Sequence, residues 1–403
     1  MIGTTNLELF SCLNDARMIL SDKETGYRQC SLTVMDNIAD PHITFDEKGV
    51  CNYYHEYQQA AARDVHTGKE SEDMLAGLVK KIKEGGKGKP YDCLIGLSGG
   101  VDSTYVAWMV KQLGLRPLAV HLDNGWNSEL AVKNVENIVT RLGFDLYTLV
   151  VNWEEFRDIQ LSYLKASVVD IEVVSDHAIF ATMYKLAKEK NIGYIISGTN
   201  IVTEYIMPPD WLYQKMDFRN LTSIHRQFGK VKLKTYPRFD FRKYVYYSAV
   251  LRLTPISILN YIPYNKNEVK AIIRDELGWR DYGGKHYESI FTKFYQAYIL
   301  PQKFKIDKRK AHLSTLICSG QLTRHEALNE LERSLYDPLE LRSDMEYVLK
   351  KLGLTDAEFD EIMRLPARRH QDFKTDSHLK NSYMNLLKRT SSARSLIKKL
   401  LQK

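Results

Sequence analysis

The stretch Leu97-Ser98-Gly99-Gly100-Val101-Asp102-Ser103 constrains the fold more than any other. It follows an apolar strand-like run, Asp92 to Leu97, and opens a helix-like run, Thr104 to Leu113, stopped by Gly114. Two consecutive glycines between a strand and a helix remove the Cβ atoms that would keep a ligand from backbone N–H groups at the positive end of the helix. A polyphosphate fits there. No lysine follows the glycines, as a Walker A loop requires, and the third glycine of a dinucleotide fingerprint is missing. Ser98 and Ser103 can donate hydroxyls to phosphate oxygens, whereas Asp102 would repel phosphate unless a Mg²⁺ lay between them. The competing reading makes Asp102 a cap of the helix N-terminus.

Beyond the loop the pattern is regular. Strands are expected over 116–122, 144–151 and 194–197, and helices over 128–142, 159–169 and 176–190, the first with an apolar stripe closed by Gly143. Strands alternating with helices imply an α/β fold whose mostly parallel sheet is covered by helices on both faces, with ligands at the carboxyl ends of the strands. The loop, Asp123-Asn124-Gly125 and Gly198-Thr199-Asn200 all fall at that edge. By themselves Asp123 reads as part of a plain Asn-Gly turn and Thr199 and Glu204 as turn and helix-cap residues.

Three regions are expected. Residues 1–88 form an N-terminal segment ending in an exposed glycine-lysine hinge, 89–300 the α/β domain that carries the loop, and 301–403 a helical region, where Thr323 and Thr355 each precede a Glu by three residues as capping boxes do. The net charge of +7, from 57 Lys+Arg and 50 Asp+Glu, suits a nucleotide, a nucleotide sugar or RNA. Five scattered cysteines, Cys12, Cys30, Cys51, Cys93 and Cys318, imply no disulfide framework. No long apolar run and no basic leader is seen, so a cytoplasmic protein without membrane contact is expected.

Ser98 to Ser103 after a strand is the signature of the PP-loop ATP pyrophosphatases, which the chain resembles without a departure. That resemblance implies an adenine nucleotide alpha hydrolase-like fold, ATP and Mg²⁺ as cofactors, nucleotide contacts from Ser98, Gly99, Gly100, Val101, Asp102, Ser103, Asp123, Gly198 and Thr199, and Mg²⁺ held by Asp102 and Glu204. Residues 28–55 and 283–327 further resemble the N-acetyl sugar amidotransferases of bacterial surface-polysaccharide synthesis. These convert an acetamido group of a nucleotide-activated sugar to an acetamidino group, and a UDP-linked diacetamido uronic acid for lipopolysaccharide O-antigen is the expected substrate. A nonulosonic acid for flagellin glycosylation is the nearest variant. Lys285, His286 and Glu288, after Gly283-Gly284, are candidates with Asp102 for catalysis, by binding an acidic group or moving ammonia's proton. Lys308, Arg309, Lys310 and His312 face nucleotide phosphates or form a solvated run.

Relatives of this kind carry two C-x-x-C pairs that hold zinc. Here Thr33 follows Cys30 and Tyr54 follows Cys51 at the partner positions, so half a zinc-ribbon-like site remains, completed by His42 or His55 or left as buried thiols. Met1 is followed by Ile2 and no glutaminase domain is evident, so ammonia is expected from a separate glutaminase subunit, with a cyclase-like barrel subunit as a bridge. A tRNA-modifying PP-loop enzyme is the rival reading, and a non-catalytic ATP-binding module a third; nucleic acid is otherwise not an expected partner.

Overall fold

A computed structural model describes residues 26–284 and 287–385. Five short strands, β1 (Cys93–Gly96), β2 (Pro117–Asp123), β3 (Asp145–Val150), β4 (Tyr194–Ser197) and β5 (Thr254–Ser257), form one all-parallel sheet in the order β3-β2-β1-β4-β5. The central strand is buried on both sides, and successive residues serve opposite faces. Ile95 packs with Val106, Val110, Val135 and Ile138, and Leu94 with Leu118, Ala181 and Leu186.

The helices before and between the strands are α1 (Asn52–Asp64), α2 (Gly68–Gly85), α3 (Val101–Gln112), α4 (Glu129–Leu142), α5 (Trp153–Ala166) and α6 (Val173–Glu189). Helix α4 carries the expected stripe, starts where Ser128 accepts from the Ala131 N–H at 3.2 Å, and stops at Gly143 with φ 64°. Further on come α7 (Phe218–Phe228), α8 (Lys266–Leu277), α9 (Lys308–Cys318), α10 (Arg324–Glu332), α11 (Pro338–Leu352) and α12 (Asp356–Arg364). The capping boxes at Thr323 and Thr355 both form, each Thr accepting from the N–H of its Glu. One large core joins Cys30 and Cys51 near the start, Trp126, Phe156 and Tyr163 in the middle, and Phe294, Tyr295, Val348 and Phe359 near the end.

Three features differ from the sequence reading. Residues 52–85, to which the sequence reading assigned no regular element, hold α1 and α2. The glycine-lysine run is anchored: Arg116 pairs with Asp92 at 2.6 Å and donates to the carbonyls of Gly86 and Lys89 at 2.9 and 2.8 Å. Strand β5 was not expected, because Arg252 and Pro255 interrupt its apolar run; at a sheet edge the missing N–H of Pro255 costs no ladder bond.

Going β1, β2, β3 the chain walks one way across the sheet, then returns past β1 to lay down β4. The carboxyl ends of β1 and β4 therefore border the topological switch point, where such sheets bind ligands.

Candidate active site

The loop enters that crevice directly from β1. Gly99 adopts φ +83°, and a Cβ on it would stand 2.9 Å from the carbonyl oxygen of Ala131 in α4. Gly198, at the end of β4, passes so close that its Cβ would meet Asp102 main-chain carbon at 3.0 Å. Within the turn the Gly100 N–H donates to Ser98 Oγ at 3.1 Å, Ser98 and Ser103 hydroxyls lie 3.1 Å apart, and Thr104 Oγ1 donates to the Gly100 carbonyl at 2.7 Å. His121 Nδ1 donates to the Leu97 carbonyl at 2.8 Å, and its Nε2 accepts from Asn127 at 3.1 Å.

Two cavities meet at Ser98, Ser103 and Glu288. The first, about 280 Å³, runs between the carboxyl ends of β1 and β2 toward α6, and its far wall carries Glu172, Ser175 and Asp176. Lys308 and Gln296 both donate to Glu172 at 3.1 Å, and Lys215 bridges Asp176 (3.0 Å) and the buried Asp170 (2.7 Å). The second, about 270 Å³, lies over the start of α3 and is lined by Gly100, Asp102, Gly198, Glu204, Lys266, Lys270, Asp281 and Tyr282 among others. Glu288 reaches both because its segment pairs with the end of the Asn-Gly turn: Ser128 N–H donates to the Glu288 carbonyl and Ile290 N–H to the Trp126 carbonyl, each at 2.9 Å.

Ser98, Gly100, Val101, Asp102, Ser103, Gly198, Glu204 and Glu288 thus come together, with Gly99 behind them in the turn. Asp123 is elsewhere: it caps its own turn by accepting from the Gly125 N–H at 2.9 Å, and its neighbour Asn124 lines the first cavity instead. Thr199 hydrogen-bonds Ser197 (2.7 Å) and Ser257 (3.0 Å) and borders a separate depression with Glu204. Lys285 and His286 lie outside the described residues. Lys308 and Arg309 pair with Glu172 and Asp307, and Lys310 pairs with Asp36. They staple the fold.

Sequence reasoning missed Tyr264, Lys266, Lys270, Trp279 and Tyr282. Tyr264 O–H donates to Asp102 Oδ1, and Trp279 Nε1 donates to the Gly99 carbonyl at 2.8 Å. Burial, then the charge of Asp102, pushes the Tyr264 phenol far above its usual range, and burial with Glu288 and Asp102 does the same for Tyr282. Both stay protonated. One signal was available: Asn265, whose side chain accepts from the N–H groups of Asn267 and Glu268, caps a helix that sets Lys266 and Lys270 one turn apart on one face.

The residues fit a magnesium-bound polyphosphate. Among the described residues the second cavity is lined by the carboxylates Asp102, Glu204, Asp281 and Glu288 and by Lys266 and Lys270, a mixed set that suits a polyphosphate bound together with a divalent cation. They do not fit zinc. Cys30 and Cys51 are fully buried; the Cys30 sulfur accepts from the N–H groups of Cys51 (3.2 Å) and Thr33 (3.4 Å), and Thr33 Oγ1 lies 3.7 Å from the Cys51 sulfur. The hydrogen bond from Cys51, opposed by burial, draws the Cys30 thiol down to about 5, while the Cys51 donor is pushed up. His42 and His55 do not complete the site: they pair with Asp210 (3.2 Å) and Asp46 (2.9 Å), and among the described residues no group of three His, Cys, Asp or Glu side chains is placed to hold a metal.

The sheet order and the Ser-Gly-Gly turn at its switch point define a PP-loop protein. Residues 288–388 match the family model described as LPS biosynthesis protein WbpG-like, C-terminal domain. A tRNA(Ile)-lysidine synthase of Chlamydia pneumoniae is 38% identical over 71 residues, which is 17% of this chain and 22% of that protein's length. The structure of NMN synthetase from Francisella tularensis aligns with 56% of this chain and 92% of its own, at 14% identity and a TM-score of 0.28. No helix among the described residues is long and apolar enough to cross a membrane.

Proposed function

We propose that the protein is an ATP-dependent amidotransferase that converts an acetamido group of a nucleotide-activated sugar, a UDP-linked diacetamido uronic acid of O-antigen synthesis, to an acetamidino group. The observation that carries this reading is that Glu288, Ser289 and Thr292, from the stretch matched by the lipopolysaccharide domain, wall the same cavity as Ser98 and Ser103 of the loop. An activating loop and a sugar-pathway domain share one reaction space.

An amide carbonyl is a poor electrophile. Its oxygen attacks the α-phosphorus of ATP, pyrophosphate leaves, and the carbon becomes an O-adenylated imidate. Ammonia adds to that carbon, AMP departs with the oxygen, and C=N remains. Ser98, Ser103 and the loop N–H groups receive the phosphates, and Lys266 and Lys270 oppose the charge that grows on pyrophosphate. Mg²⁺ held by Asp102 and Glu204 would supply the remaining neutralisation. Glu288, at the junction of the cavities, takes the proton that ammonia sheds. Ammonia comes from a separate glutaminase subunit, bridged by a cyclase-like barrel subunit. Glutamine hydrolysis by the purified chain alone would refute this supply route.

The test is mass spectrometry of the purified chain with ATP, Mg²⁺, an ammonium salt and a panel of UDP- and CMP-linked acetamido sugars. A sugar product lighter by the difference between O and NH, with AMP and pyrophosphate released, supports the proposal; a CMP-nonulosonate as the only substrate moves it to flagellin glycosylation. The local likeness to a tRNA(Ile)-lysidine synthase favours a second reading, a tRNA-modifying enzyme. AMP release on adding tRNA, with no sugar altered, would select it.

A further inference from the structure

The stretch from Tyr264 to Tyr282 grips the loop. Before α8, Tyr264 donates its phenol to Asp102 Oδ1; after α8, Trp279 donates to the Gly99 carbonyl at 2.8 Å; and the Tyr282 hydroxyl stands 3.2 Å from where a Cβ on Gly100 would be. The Tyr264 and Trp279 side chains are held in place by packing. Tyr264 is 5% exposed and Trp279 2%, and both belong to the core that holds α3 and α4 together. Asn134 of α4, itself fully buried, exchanges two hydrogen bonds with the backbone of Arg280, at 2.9 and 3.0 Å.

The other end is fixed from far along the chain. Gln321, in the turn between α9 and α10 and inside the stretch 288–388, donates its amide to the Tyr264 carbonyl and accepts from the Lys266 N–H, both at 3.0 Å. One side chain of the lipopolysaccharide domain thus clasps both sides of the turn that presents Tyr264. A carboxylate at the second residue of a helix can otherwise rotate about its last bond, so a donor locked onto one oxygen sets which way the group presents its charge.

We propose that Tyr264 is the positioning residue of the Asp102 carboxylate, and that Gln321 makes this positioning depend on the C-terminal region. The inference rests on the reading of Asp102 as a ligand of the divalent cation. Tyr264→Phe keeps the ring, its packing and its contact with Tyr105, whose centroid is 5.9 Å away, and deletes only the O–H.

The full-length chain is titrated with Mn²⁺ in the presence of α,β-methylene-ATP, whose α–β bridge cannot be cleaved, and free Mn²⁺ is read by electron paramagnetic resonance. Tyr264→Phe should weaken Mn²⁺ binding about ten-fold, the effect of losing one hydrogen bond to a charged group, at an unchanged thermal midpoint. Gln321→Ala should shift binding the same way, and it serves as the readout if Tyr264→Phe does not fold. Wild-type Mn²⁺ affinity in both variants, with Asp102→Asn impaired, overturns the positioning role. Wild-type affinity in Asp102→Asn overturns the metal reading and the inference with it. A failure to amidinate any sugar would leave the titration, and so the inference, standing.

Discussion

The two loop glycines are there for different physical reasons, and alanine at each should fail differently. At Gly99 the backbone has φ +83°, and a Cβ would press to 2.9 Å on the Ala131 carbonyl, main chain in the first turn of the packed helix α4. The left-handed conformation costs a non-glycine residue about 1–2 kcal/mol, and overpacking against backbone adds about 1–2 kcal/mol more. Gly99→Ala should therefore lose about 2–4 kcal/mol of folding stability. Gly100 has φ −73°, ordinary for any residue, and its Cβ would meet only side-chain ends: Ser98 Oγ at 3.1 Å, Tyr282 OH at 3.2 Å and Glu288 Oε1 at 3.7 Å. Gly100→Ala should cost less than about 1 kcal/mol of stability. It should instead weaken nucleotide binding by about ten-fold or more, because the new methyl stands where phosphate approaches the turn. Urea denaturation gives the first quantity and calorimetric titration with α,β-methylene-ATP and Mg²⁺ the second. A Gly99→Ala protein as stable as wild type, or a Gly100→Ala protein destabilised as much as Gly99→Ala, refutes the distinction.

Burial holds the His177 pKa down from 6.5 to about 4, while Nδ1 donates to the Lys215 carbonyl and Nε2 accepts from the Phe239 N–H. With the folded value depressed, its contribution is complete above the unfolded pKa and is lost as pH falls toward the folded one, so going from about pH 7.5 to about 5.5 should remove about 1.3 kcal/mol; an identical urea-midpoint slope in His177→Asn rules this out. Lys270→Ala, which frees Asp281 from its 2.6 Å ion pair, should raise the ATP KM about ten-fold while leaving the thermal midpoint within a few degrees; an unchanged KM argues against a phosphate role. Thr33→Cys with Tyr54→Cys should take up one zinc per chain by plasma emission, and the wild-type chain none; stoichiometric zinc in the wild type contradicts the donor count at Cys30 and Cys51.

What the sequence made legible follows from how each element is buried. Strand β1 is covered on both faces and reads as a plain apolar run, and α4 announces itself through Ser128, Gly143 and its apolar stripe. Helices α1 and α2 hide because they bury little: Tyr53, Tyr57 and Ala60 in one, Ser71 and Ile82 in the other. Strand β5 is four residues long with a proline inside, a pattern that only an edge position permits, and edge position is a property of the finished sheet.

The same division runs through the site. Backbone demands are local, so the Ser-Gly-Gly turn could be recognised from seven consecutive residues. Charge compensation is not. The basic run Lys308-Arg309-Lys310 was open between phosphate contact and solvated face, and its lysines are held by distant carboxylates, Lys308 by Glu172 across 136 residues and Lys310 by Asp36 across 274. Conversely, nothing near Asp102 betrays the Tyr264 phenol, 162 residues on, or near Gly99 the Trp279 indole, 180 residues on. A buried donor gains its hydrogen bond only once the chain has folded back, so its local sequence carries no trace of the partner. The loop alone is a strand-to-helix turn; the distant Tyr264 donates to its Asp102 carboxylate, Trp279 donates to its Gly99 carbonyl, and Lys266 and Lys270 line the cavity beside it.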